Sequence, residues 1–143
     1  MQKIKFNSHD REPTLQNKSR LKKFIENLFK KEKIHLKGLA YIFCSDEYLI
    51  VINKEFLKHD FFTDVITFNL SSCRMETEAE VYISIDRVKD NAKRLKNPYK
   101  EELHRVIFHG ALHLCGYNDK TKKDKLLMRL KEEEYLMWYF NKI

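Results

Sequence analysis

The stretch from His109 to Asp119, HGALHLCGYND, restricts the architecture more than any other part of the chain. His109 and His113 are four residues apart, and on an α-helix that spacing puts two imidazoles on the same side, roughly 6 Å from each other. Leu103, Val106, Ile107, Gly110 and Leu114 recur at helical spacing, so one face of this helix is predicted to pack on a sheet, with Gly110 allowing close approach. Gly116 is predicted to end the helix as a left-handed C-terminal cap and to turn the chain back. Asp119 then returns to the two histidines, so the fold must supply a helix laid on a sheet and a loop that doubles back beside it.

The spacing His-x3-His-x2-Gly-x2-Asp matches the metzincin arrangement, with Asp119 in place of the last histidine. Two histidines and one carboxylate leave one or two positions open on Zn²⁺, the pattern of a catalytic rather than a structural site. One zinc ion per chain is expected, and imidazole with carboxylate also suits Ni²⁺ and other divalent ions. In HExxH peptidases the residue after the first histidine is the glutamate that acts as general base; here it is Gly110, so that mechanism lacks its base. A metal-bound water with its pKa lowered toward about 7 could still attack a phosphodiester, or the ion could polarise a phosphoryl oxygen while a ribose 2′-hydroxyl attacks.

The net charge of +7 and pI near 9.2 tilt the choice toward phosphate substrates, because clustered Lys and Arg gain free energy by releasing counterions condensed on a polyanion. At 143 residues the chain fits one domain, expected to span residues 1–143. Cys44, Cys73 and Cys115 show no CxxC spacing, which argues against a disulfide framework and a thiolate zinc site and for reduced thiols. No apolar run approaches the roughly 20 residues that cross a bilayer, and the first residues lack an apolar signal core. No membrane partner and a cytoplasmic location are expected.

Lys3 to Ser8 reads as a first strand. Leu21, Phe24, Ile25, Leu28 and Phe29 form the inner stripe of a helix whose other positions carry Lys18, Arg20, Lys22, Lys23, Lys30, Lys31 and Lys33; that basic back is either a solvated face or an electrostatic footprint for RNA. Leu36 to Ser45 is predicted as a buried strand, and Ser45 as the cap of a helix through Leu57. Thr63–Leu70 and Ala79–Ile85 read as a hairpin-like pair of strands. Asp86 is predicted to cap a helix to about Lys96 with Val88, Ala92 and Leu95 inside. Asn97 as N-cap and Pro98 at the first helical position should open the histidine helix. Thr121 and Asp124 form a capping pattern ahead of a last helix bearing Leu126, Leu127, Leu130 and the segment YLMWYF.

With FFTDVITF and AEVYIS preceding HGALHLCGYND in that order, the chain resembles the YbeY family of bacterial ribosomal-RNA maturation factors, whose usual signature is HGxLHLxGYDH after a TDVLSF-like and a GDI-like strand. The resemblance runs from about Asn53 through the last helix. It implies an α+β fold in which a small mixed sheet of about four strands packs with helices around a zincin-like site. It also implies a metal-dependent, single-strand-type endoribonuclease that acts on ribosomal RNA of the small ribosomal subunit, in its maturation and in ribosome quality control. His109 and His113 match the family's first two ligands, Asp119 stands where a third histidine is usual, and Asn118 replaces the customary Asp. The family's usual arginine falls at Leu57, leaving Lys58 or His59 as possible substitutes for holding a phosphate. Asp64 matches the family strand, where it is a candidate for catalysis or an organiser of the local turn. The alternative is a non-catalytic RNA- or ribosome-binding assembly factor with a structural metal; a metallopeptidase is disfavoured by Gly110.

Overall fold

The computed structural model describes residues 3–58, 63–71 and 75–141. Nine elements follow one another among them: β1 (Ile4–Ser8), α1 (Lys18–Lys31), β2 (Leu36–Cys44), α2 (Asp46–Leu57), β3 (Val65–Asn69), β4 (Thr77–Ser84), α3 (Ile85–Leu95), α4 (Tyr99–Leu114) and α5 (Lys122–Phe140). The strands form one sheet in the order β1-β2-β4-β3. β1 and β4 each pair with β2 in parallel, while β3 runs antiparallel to β4 and forms an edge. This is the expected α+β fold with a mixed four-stranded sheet, and the expected strand pair is β3 and β4.

Alternation along the strands divides the side chains between two layers. Tyr41, Phe43, Val81 and Ile83 point into the main core with α1, α3 and α4, whereas Cys44, Ile66, Phe68 and Tyr82 meet Leu49 and Ile52 of α2 on the opposite face. α5 lies against α4, so α4 is sandwiched between the sheet and another helix. Its predicted inner stripe is correct, but burial extends all round: from Glu102 to Leu112 only His109 is not fully buried.

The helix boundaries correct the sequence reading in several places. Ser84, not Asp86, caps α3, accepting the N–H of Arg87 at 3.1 Å. Asp86 instead accepts the N–H of Asp46 at the start of α2 and the Nε–H of Arg11. A carboxylate between two neighbouring helix starts can serve either, and packing of α2 beside α3 decides which. Leu95 is 44% exposed rather than inside. Pro98, extended at ψ 141°, is the N-cap of α4 and Asn97 is not; the Asn97 N–H is used by Ala92 O at 2.9 Å in closing α3. Leu126, Leu127 and Leu130 of α5 face solvent, and Met128, Tyr135, Leu136 and Tyr139 supply its buried side. Part of the basic back of α1, though exposed, is engaged by rings of α5: the Arg20 guanidinium lies 4.1 Å from the Tyr139 ring centroid and the Lys31 ammonium 4.0 Å from that of Trp138.

Candidate metal centre

His109 and His113 occupy the last turns of α4. The helix then ends in the two hydrogen bonds of a Schellman closure, Gly116 N–H to His113 O at 3.0 Å and Tyr117 N–H to Leu112 O at 3.1 Å. Gly116 has φ +103°, and a Cβ there would meet nothing within 4 Å, so backbone conformation alone asks for glycine. Two further contacts pin the returning loop. Tyr117 donates its hydroxyl to Glu32 at 2.8 Å, and Thr121 with Asp124 forms the expected capping box that starts α5.

Asp119 is thereby delivered to the histidines. Its Oδ2 lies 3.4 Å from His109 Nε2 and 3.3 Å from His113 Nε2, and one donor atom from each of the three residues lies within 4.8 Å of the others. Two donors each about 2.0 Å from a tetrahedral ion stand roughly 3.3 Å apart, so the two nitrogen–oxygen separations suit a divalent ion. No other such grouping of His, Cys, Asp and Glu occurs among the described residues. His109 also donates its Nδ1–H to Glu132 Oε2 at 2.6 Å, across the α4–α5 contact. Burial works against the imidazolium, but the hydrogen bond and charge of Glu132, helped by Asp64 and Asp119, outweigh it and raise the His109 pKa above its ordinary value.

The other candidates are distributed around this centre. Asp64 is half-buried at the start of β3, accepts from Asn91 Nδ2 at 3.2 Å, and has its pKa raised by burial against the opposing pull of His109. Leu57 lines a groove of 290 Å³ with Asn53, Thr63, Thr67 and His113, so a leucine does stand beside the centre at the position where the resemblance puts an arginine. Lys58 is exposed and closes α2 in the left-handed conformation, its N–H on Asn53 O. His59 lies outside the described residues, as does Cys73. Cys44 and Cys115 are free thiols, each pushed up to about 12 chiefly by burial.

Glu132 is the residue that the sequence reading missed. A signal for it does exist: Glu101, Arg105, His109 and His113 recur every four residues along α4, and α5 carries the acidic run Glu132, Glu133 and Glu134. A charged ladder on a helix that is otherwise buried calls for opposite charge on the neighbouring helix. What the sequence lacks is the knowledge that α5 is that neighbour.

Comparison with known proteins agrees with this geometry. The family model for endoribonuclease YbeY matches residues 3–139. An endoribonuclease YbeY of Cytophaga hutchinsonii is 47% identical over 133 residues, covering 93% of each chain. That of Flavobacterium psychrophilum is 53% identical over 98 residues, covering 68% of this chain and 69% of its own. A Thermotoga maritima protein solved in solution superimposes with a TM-score of 0.59 at 25% identity, over 96% of this chain and 89% of that one. With the match running from the first strand into the last helix, a span that contains His109, His113 and Asp119, the chain belongs to the endoribonuclease YbeY family.

Proposed function

We propose that the chain is a metal-dependent endoribonuclease that cuts single-stranded stretches of ribosomal RNA during maturation of the small ribosomal subunit, working as one domain in the cytoplasm. The observation that carries this reading is the convergence of His109, His113 and Asp119 beside the groove along edge strand β3 that His113 helps to line. Zinc is the ion proposed, with nickel as the other candidate, because two imidazoles and a carboxylate suit both. When bound, the ion supplies Lewis-acid polarisation of a phosphoryl oxygen and a water that ionises near neutrality.

The chain's own residues supply the rest. His109 donates to Glu132 at 2.6 Å, and His113, Thr63, Thr67 and Leu57 line the groove proposed to receive the RNA strand. Asp64, half-buried just before β3 with its carboxylate on Asn91 Nδ2 and its charge felt at His109, is our candidate for handling a proton at the reacting phosphate, in preference to the exposed Lys58. A peptidase reading fails on position 110: a Cβ there would lie 2.8 Å from Val81 Cγ1, so a glutamate would enter the sheet and not the centre. No helix is long and apolar enough to cross a membrane among the described residues.

The deciding experiment couples metal analysis to RNA cleavage. Native protein should contain about one metal ion per chain, His113→Ala should lose it, and Asp119→His should keep it. Chelation should abolish cleavage of structured RNA and leave RNA affinity intact. Unchanged metal in His113→Ala overturns the ligand set. Loss of the fold with the metal would make the ion structural and the chain an assembly factor.

A further inference from the structure

The side of α4 that carries the histidines also carries Arg105, one helical turn before His109. Its guanidinium is almost wholly buried among carboxylates, with Nη1 2.6 Å from Glu133 Oε1 and 3.5 Å from Glu132 Oε1, and Nε 3.5 Å from Glu102 Oε1. Glu132 is itself only 5% exposed, and both its oxygens are engaged, Oε1 toward Arg105 and Oε2 on the His109 ring. Packing of α5 on α4 does not require this arrangement, since replacing a buried ion pair by well-fitted apolar side chains is often neutral or stabilising. Moreover, Arg105 makes its closest contact with Glu133, whereas Glu132 makes its own with the imidazole, at 2.6 Å. His113 has no corresponding partner for its second ring nitrogen among the described residues, its ion contact being Asp119.

We infer that Glu132, steadied by Arg105, is a positioning residue for the metal centre. By accepting from Nδ1 it fixes His109 in the tautomer that leaves the Nε2 lone pair free and aimed at the space shared with His113 and Asp119. It also holds the ring plane and makes the imidazole a stronger donor. The two histidines are therefore unequal: His109 is held from behind by Glu132, and His113, at the groove, has no such hold among the described residues. This rests on the metal-site reading above.

The test uses the full chain, stripped of metal and labelled with ¹⁵N in its imidazoles, at alkaline pH where the rings are neutral. Long-range ¹H–¹⁵N correlation should report His109 as the Nδ1–H tautomer in the parent and in Glu132→Gln, whose amide oxygen still accepts. Glu132→Ala should revert toward the Nε2–H form favoured by free histidine. Zinc affinity, measured by competition with a chromophoric chelator, should fall about 10- to 100-fold in Glu132→Ala and less in Glu132→Gln, where the hydrogen bond survives and the charge does not. An unchanged tautomer in Glu132→Ala, or zinc affinity within about twofold of a zinc-binding parent, overturns the inference while leaving the nuclease reading standing. Should Glu132→Ala fail to fold, Glu132→Gln decides: a retained tautomer with affinity lowered about threefold or more supports the role, and parental affinity removes it. A parent that binds no zinc overturns the metal-site reading itself.

Discussion

Gly110 shows how much one residue depends on the face it occupies. An added Cβ would lie 2.8 Å from Val81 Cγ1 and 3.6 Å from Val65 Cγ2. Val81 is fully buried in β4, and its branched side chain has few rotamers to retreat into. Gly110→Ala gains about 1 kcal/mol of helix propensity, but overpacking a close-fitted core costs about 1–3 kcal/mol. A net loss of about 1 kcal/mol and a lower melting temperature are expected. Gly110→Glu should cost several kcal/mol by burying an unpaired carboxylate, and it should gain no peptidase activity. Thermal melts check both, and a Gly110→Ala variant that melts above the parent would contradict the packing. This face was legible in the sequence because the apolar residues around Gly110 follow the helical period. The partner of His109 was not, since Glu132 lies 23 positions away and helical periodicity relates only residues on one helix.

Among the elements, the loop that delivers Asp119 is held by a clasp joining three of them. Glu32, just after α1, accepts the hydroxyls of Tyr117 from the loop and Tyr135 from α5, and Lys131 stands 3.7 Å away. Burial would raise the Glu32 pKa, but the two hydroxyls and Lys131 outweigh it and hold the carboxyl below its ordinary value of 4.5. A depressed carboxyl pKa contributes stability that is fully present above the unfolded value and is lost as pH falls through the folded one. Glu32→Gln should therefore be less stable than the parent by about 1–2 kcal/mol at neutral pH. The gap should narrow steadily as pH falls below about 4.5. Denaturant unfolding at a series of pH values measures it, and a gap independent of pH would remove the charge from the account. The caps divide along similar lines. Ser45 and the Thr121–Asp124 box act within their own helices and were readable locally; Asp86 was drawn to the start of α2, a partner 40 positions away.

For the molecule as a whole, the charge of +7 predicts a salt-dependent affinity for RNA. Lys23, Lys30 and Lys31 are all exposed on α1, but Lys31 also lies over the Trp138 ring, so the first two are the cleaner test of the basic face. If they bind phosphates, charge reversal should weaken RNA affinity and flatten the log–log salt slope by roughly 0.7 for each phosphate no longer neutralised. An unchanged slope in fluorescence-anisotropy titrations would make this a solvated face and place the RNA elsewhere.

Whereas the α+β class entered through the family resemblance, the order of the elements, the turn at Gly116 and the spacing of His109, His113 and Asp119 were all determined by the sequence alone. Each depends on residues close together along the chain, where periodicity, capping and turn chemistry act. Tertiary structure alone decided that α4 is buried on both sides and that Leu126, Leu127 and Leu130 face solvent. It also decided that Glu132 and Arg105 stand behind His109 and that Glu32 clasps the metal loop. These contacts join side chains far apart in the sequence, and their free energy depends on which helices share a boundary, a property that no local pattern encodes.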